Sequence, residues 1–203
     1  MQDGVLYSKD GTTLLQYPAG KTDEWFAVPD GVKRIADEAF RSCGNLTRII
    51  LPNSLESIGE SAFYECEKLT ELLVPANVTV IESQAFTWCR NLETVRLPDA
   101  LTEISDYLFN CCRSLKNITL PPHLTKIGAG AFQTCNLPKL TVPEGVTELG
   151  SQVFFMCSGM EITLPRSIQK IGDDALKSAF VIAPKGSYAI EYAKENGISF
   201  REI

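Results

Sequence analysis

The chain carries a single histidine, His123, among 203 residues. A Ser/His/Asp or Cys/His nucleophilic site would have to be built on it. It stands two residues after Pro121 with no motif around it, so it reads as a surface turn residue. The sequence also lacks Gly-x-Gly-x-x-Gly, a Walker-type loop and His-Glu-x-x-His, which removes the sequence warrant for dinucleotide, nucleotide-triphosphate and zincin chemistry. The calcium-binding nonapeptide of some β-solenoids is missing too. Positive charge is in deficit: 19 Lys and Arg stand against 25 Asp and Glu, for a net charge of −6. An acidic surface repels phosphate backbones and anionic lipid, so no nucleic-acid partner is expected. No run approaches the roughly 18–20 apolar residues that cross a bilayer, and no membrane insertion is expected. Met1-Gln2-Asp3-Gly4 has neither a basic region nor an apolar run and does not read as a signal peptide. That leaves a cytoplasmic protein or a fragment of a secreted one.

What is present is a period. Pro29, Pro52, Pro75, Pro98, Pro121, Pro143 and Pro165 are separated by 23, 23, 23, 23, 22 and 22 residues. A fixed period of this length signals a solenoid, in which each coil buries its core only against its neighbours. Counted from each proline, the same chemistry returns. Six residues on lie Ile35, Ile58, Ile81, Ile104, Ile127, Leu149 and Ile171; eleven on lie Phe40, Phe63, Phe86, Phe109, Phe132 and Phe154, then Leu176. Fourteen on lie Cys43, Cys66, Cys89, Cys112, Cys135 and Cys157.

Before each proline the residues alternate apolar and polar and are rich in β-branched side chains, the mark of a half-buried strand. Proline ends it, having no N–H for the ladder. A second short apolar pair follows, with Gly59, Gly128, Gly150 and Gly172 expected to form tight corners. The Ala-Phe step and its cysteine suit a short helical turn. Stacked at about 4.8 Å, seven coils give a parallel sheet roughly 30–35 Å long. The ends need covering. Val5 to Tyr17 reads as a β-hairpin around Asp10-Gly11; Ser187 is placed to cap a helix over Tyr188–Glu195 that Gly197 stops, with a last strand over Ser199–Ile203. The expected organisation is one domain, 1–203, with an N-terminal hairpin cap over 1–22, repeats over 23–183 and a helix/strand cap over 184–203.

The unit Leu-Pro-x-x-Leu-x-x-Ile-Gly-x-x-Ala-Phe-x-x-Cys-x-x-Leu, as in Leu51 to Leu69, resembles the BspA-like class of leucine-rich repeats. The resemblance covers roughly residues 20–183, and the lead-in Gly4 to Lys21 and the end Gly186 to Ile198 are similar to the family's usual termini. It implies an α/β solenoid: a right-handed superhelix of about seven repeats with a parallel sheet on its concave face. It also implies a surface or secreted bacterial protein, hence an extracellular or cell-surface location, linked to adhesion and protein binding. The absent export signal departs from a full-length member; a chain trimmed to its mature part accounts for that.

Seven cysteines, six at one phase, do not form a disulfide framework. Parallel rungs about 4.8 Å apart overshoot the roughly 3.8 Å between the Cβ atoms of a disulfide, and they do not converge as four zinc ligands must. The cysteines therefore read as a buried thiol ladder of small hydrophobes, with Cys111 off the ladder, partly exposed and the most reactive. Glu56, Glu60, Glu65 and Glu67 are polar positions of the coil, and nothing selects a carboxylate pair. The sequons at Asn45, Asn77 and Asn117 fit chance in a chain rich in Asn and Thr.

No catalytic, cofactor or metal residue is assigned, and the chain is read as a non-enzyme without cofactor, monomeric. Function should lie on the outward side chains of the strand before each proline, which a rigid scaffold presents to solvent. At the N-terminal end these are apolar and aromatic, rimmed by charge: Trp25, Arg48, Ile50, Glu71, Leu73 and Arg96. They form the candidate binding patch for a protein or glycan. Other readings stand against it: the N-terminal hairpin covers these residues, or they are present only because Trp, Ile and Thr favour strands. For the chain as a whole, the alternative is a structural spacer within a larger surface protein with no ligand of its own.

Overall fold

The computed structural model describes residues 4–203, so the first three residues of the expected N-terminal cap lie outside the described residues. Coils of parallel strands stack into a solenoid of about eight turns, with one helix as a minor element. Each coil contributes a longer strand before its proline: Trp25–Ala27, Arg48–Ile50, Glu71–Leu73, Thr94–Arg96, Asn117–Thr119, Lys139–Thr141 and Met160–Thr163. A second strand of two residues follows: Arg34–Ile35, Ser57–Ile58, Val80–Ile81, Glu103–Ile104, Lys126–Ile127, Glu148–Leu149 and Lys170–Ile171. Equivalent strands of most successive coils pair parallel and in register, for example Glu71↔Thr94 and Ile58↔Ile81, while the short-strand sheet breaks between Val80–Ile81 and Glu103–Ile104. The core runs between the two faces as columns of one residue type.

The phenylalanines form one continuous stack. Phe40, Phe63, Phe86, Phe109, Phe132 and Phe154 are fully buried, with ring centroids 5.1 to 5.8 Å apart and near-parallel planes. Tyr17 extends the column, its ring 5.3 Å from Phe40 and its hydroxyl donating to Asp23 at 2.7 Å. The six phase-matched cysteines are free thiols and buried. They do more than fill space: the thiol of Cys89 donates to the Phe63 carbonyl at 3.2 Å, and those of Cys66, Cys112, Cys135 and Cys157 donate likewise to the phenylalanine carbonyl one coil back, at 3.0 to 3.1 Å. Valine would match the size and leave that bond unmade.

Four expectations need correcting, the last of them at the C-terminal helix. The Phe-Cys segment is not helical but a run of overlapping turns, with two left-handed residues in most coils. Glu38, Ser61, Gln84, Tyr107, Gly130, Gln152 and Asp174 occupy one such position; Ser42, Glu65, Trp88, Cys111, Thr134 and Met156 the other, with φ between 54° and 65°. Each is costly for a residue with a Cβ. The return is a third ladder: Glu38, Phe40 and Ser42 donate their N–H groups to Glu60, Ala62 and Tyr64 of the next coil at 2.7 to 2.9 Å, and later coils repeat this.

Nor do Gly59, Gly128, Gly150 and Gly172 turn corners through positive φ. They let backbones of adjacent coils touch. A Cβ on Gly150 would strike the Ala129 backbone nitrogen and lie 2.7 Å from the Gly128 carbonyl carbon. Gly150→Val should therefore force the coils apart and lower stability by about 2–3 kcal/mol or more in urea unfolding; a change under about 0.5 kcal/mol would contradict the close approach.

Cys111 is buried at 9% exposure rather than partly exposed. Its left-handed backbone directs its N–H to the Gln133 carbonyl at 2.8 Å, within the third ladder.

The longer-strand sheet is interrupted once, between Asn117–Thr119 and Lys139–Thr141. In earlier coils the residue ahead of the strand donates to the coil before: Thr70 to Thr47 and Lys116 to Glu93, both at 3.2 Å. In the interrupted coil that position is Pro138, which has no N–H to give. The same coil is one residue shorter, Leu137 following Cys135 by two positions where Leu115 follows Cys112 by three.

At the N-terminal end Leu6–Tyr7 pairs antiparallel with Thr13–Gln16, which joins the short-strand sheet beside Arg34–Ile35. Asp10 accepts from Ser8 and Thr12, and Gly11 at φ 75° turns the hairpin. At the other end the helix Tyr188–Glu195 packs on Ala179–Ala183, and Gly197 at φ 64° stops it. Ser187 stands at the N-cap position but makes no capping bond, and its buried hydroxyl has no partner among the described residues. Phe200–Glu202 pairs parallel with Ala179–Ala183 and forms the last rung.

Candidate binding surface

The patch is built by strand alternation. In Arg48–Ile50 and Glu71–Leu73 the middle residues, Ile49 and Leu72, enter the core, so Arg48, Ile50, Glu71 and Leu73 must point outward. Register then aligns them into two columns. One runs Trp25, Arg48, Glu71, Thr94; the other runs Ala27, Ile50, Leu73, Arg96.

Both apolar members are open to water, Ile50 at 43% and Leu73 at 61% exposure, and Trp25 stands at 62%. The hairpin does not cover them, because it extends the sheet on the opposite face. Arg48, Ile50, Glu71, Leu73 and Arg96, with Thr94 and the backbone between them, line a groove of about 390 Å³. Trp25 is not part of this lining; it sits on the edge strand one coil away. A second groove continues past Arg96 along Asn117 and Thr119 to Pro122.

The charges are arranged in a definite way. Arg48 Nε lies 3.6 Å from Glu71 Oε1, an exposed pair. Such a pair adds little stability but holds two long side chains beside the apolar stripe. Arg96 makes no ion pair with any described residue.

His123 is exposed in a turn. Burial pushes the Cys89 thiol up to about 12 and the Cys157 thiol to about 11, and it raises Cys66, Cys112 and Cys135 as well. Thiols held neutral in this way are poor nucleophiles. Among the described residues no group of three or more His, Cys, Asp or Glu could hold a metal ion, and no helix is long and apolar enough to cross a membrane.

A family model, the BspA type leucine rich repeat region, matches residues 21–135 and 102–183 in six copies. Solved structures share the fold. A leucine rich cell surface protein from Faecalibacterium prausnitzii is 20% identical with a TM-score of 0.59, over 85% of this chain and 72% of that one. A leucine-rich repeat protein from Bacteroides ovatus is 24% identical with a TM-score of 0.59, over 88% of this chain and 61% of the other. The T. pallidum leucine rich repeat protein is 21% identical with a TM-score of 0.58, over 97% of this chain and 94% of that one. No curated protein matches. The chain belongs to the BspA type leucine rich repeat family, whose repeat scaffolds are typically non-enzymatic.

Proposed function

We propose that this repeat chain is a non-enzymatic binding module of a bacterial cell-surface or secreted protein, and that it makes contact through the longer-strand sheet as the concave face of a right-handed superhelix. Its partner is a protein, on the host or on another bacterium, and the contact is adhesive. The observation that carries the reading is the exposed Ile50–Leu73 stripe, fixed on a sheet and flanked by Arg48, Glu71 and Arg96. Exposed apolar side chains rimmed by charge, on a backbone that cannot rearrange, lose little entropy on binding. Family membership and a surface-protein relative support the location.

The test is a screen of the purified chain against extracellular-matrix proteins, mucins and a glycan array. A saturable partner should bind Ile50→Glu at least about tenfold more weakly, as expected when a charge is buried without a partner. Trp25→Ala should weaken binding less, since Trp25 lies outside the groove. Both variants should melt within about 2 °C of the parent, their side chains being exposed. Absence of any saturable partner for the folded chain would favour a spacer role.

A further inference from the structure

The groove is specific enough in its chemistry to indicate what occupies it. We propose, on the reading that this face is the binding surface, that it takes an extended peptide segment of a partner protein. The segment lies along the stacking axis, with an apolar side chain between Ile50 and Leu73 and an acidic side chain two residues on, above Arg96.

Three observations lead there. First, the apolar part of the lining is branched aliphatic, Ile50 and Leu73. A sugar ring seeks a flat aromatic face and several carboxylate or amide acceptors. The groove has no aromatic lining residue, and its one carboxylate, Glu71, already faces Arg48 at 3.6 Å. Second, with Arg48 and Glu71 engaged with each other, the uncompensated charge in the lining is Arg96, a cation that calls for a carboxylate. Third, the spacing fits. Leu73 and Arg96 are register partners on adjacent coils. The midpoint of Ile50 and Leu73 is one and a half rungs from Arg96, about 7 Å, and same-side residues of an extended peptide repeat at about 6.6 Å. Because such a peptide crosses the strands instead of pairing with an edge, its side chains rather than backbone ladder bonds supply the selectivity.

The test uses the whole chain and an array of Gly/Ser decapeptides carrying Leu at one position and Asp, Asn or Lys two residues on, with Ser-for-Leu controls. The Leu-x-Asp peptide should bind best, about tenfold over Leu-x-Lys. Arg96→Glu should invert that preference, Arg96→Gln should level it, and Ile50→Glu should abolish binding of every Leu peptide. Equal binding of the Asp and Lys peptides, an unchanged preference in Arg96→Glu, or no binding by any peptide would overturn the proposal. A glycan that binds the parent and is lost in Ile50→Glu would overturn the peptide while leaving the face as the binding surface.

Discussion

Raising the pH from about 8.5 to about 10.5 should unfold this protein outright, and the cause is the thiol ladder. A thiol in the unfolded chain loses its proton near pH 8.5. In the folded chain burial raises the Cys43 and Cys89 thiols to about 12 and Cys157 to about 11, with Cys66, Cys112 and Cys135 raised likewise. The sign follows from proton counting. Below the unfolded value both states keep the proton and the stabilisation is complete. Between the unfolded and folded values only the folded state keeps it, so stability falls as pH rises. Each thiol removes about 1.4 kcal/mol per pH unit in that window. Six together remove about 8 kcal/mol per unit, against a total stability of order 5–15 kcal/mol. Circular dichroism during an alkaline titration should show one steep loss, with thiolate absorbance rising at the same pH. Cys89→Ala should be less stable at pH 7 but lose stability less steeply above pH 9, by about 1.4 kcal/mol per unit. A folded chain at pH 11 with its thiols ionised would show that the ladder is not sealed.

Phe86→Ala is the substitution with the largest expected cost. The ring is fully buried and stacks on Phe63 and Phe109, with centroids 5.5 Å away on each side. Removal leaves a hole between backbones held by the longer-strand ladder and by the turn ladder, in which Phe86 N–H donates to the Leu108 carbonyl at 3.0 Å, so the coil cannot collapse into it. The loss should be about 3–5 kcal/mol in chemical unfolding. Phe154→Ala, whose ring stacks only on Phe132 among the described residues, should cost about 0.5–1.5 kcal/mol less. A loss below about 1 kcal/mol at Phe86 would contradict a tightly stacked core.

The columns of this solenoid were legible in the sequence because they depend on residue type at a fixed period. Phenylalanine, cysteine and isoleucine recur at set distances from proline, and each column is buried as its chemistry requires. The outward placement of Ile50 and Leu73 followed from alternation alone. What escaped was backbone behaviour without a residue signature. The left-handed positions are held by Glu38, Ser42, Ser61, Gln84 and Trp88, none of which advertises positive φ. The ladder they make is a property of neighbouring coils, not of one coil's composition. The glycines were visible, but their reason lay one coil away, in the backbone each one touches. Cys111 looked exposed because it left the cysteine column, yet it entered a hydrogen-bonded one. In the patch, the stripe and its charges could be read off, whereas the pairing of Arg48 with Glu71 and the placing of Trp25 outside the groove required coordinates.

The binding account rests on one face of the coil being special. Ile50 on the longer-strand face and Val80 on the short-strand face are matched probes, exposed by 43% and 48%. The decisive measurement is the affinity of Ile50→Glu and of Val80→Glu for any partner the parent chain binds, side by side. A loss of about tenfold or more in Ile50→Glu, with Val80→Glu equal to the parent, is the expected result. Equal losses in both, or a loss confined to Val80→Glu, would contradict it.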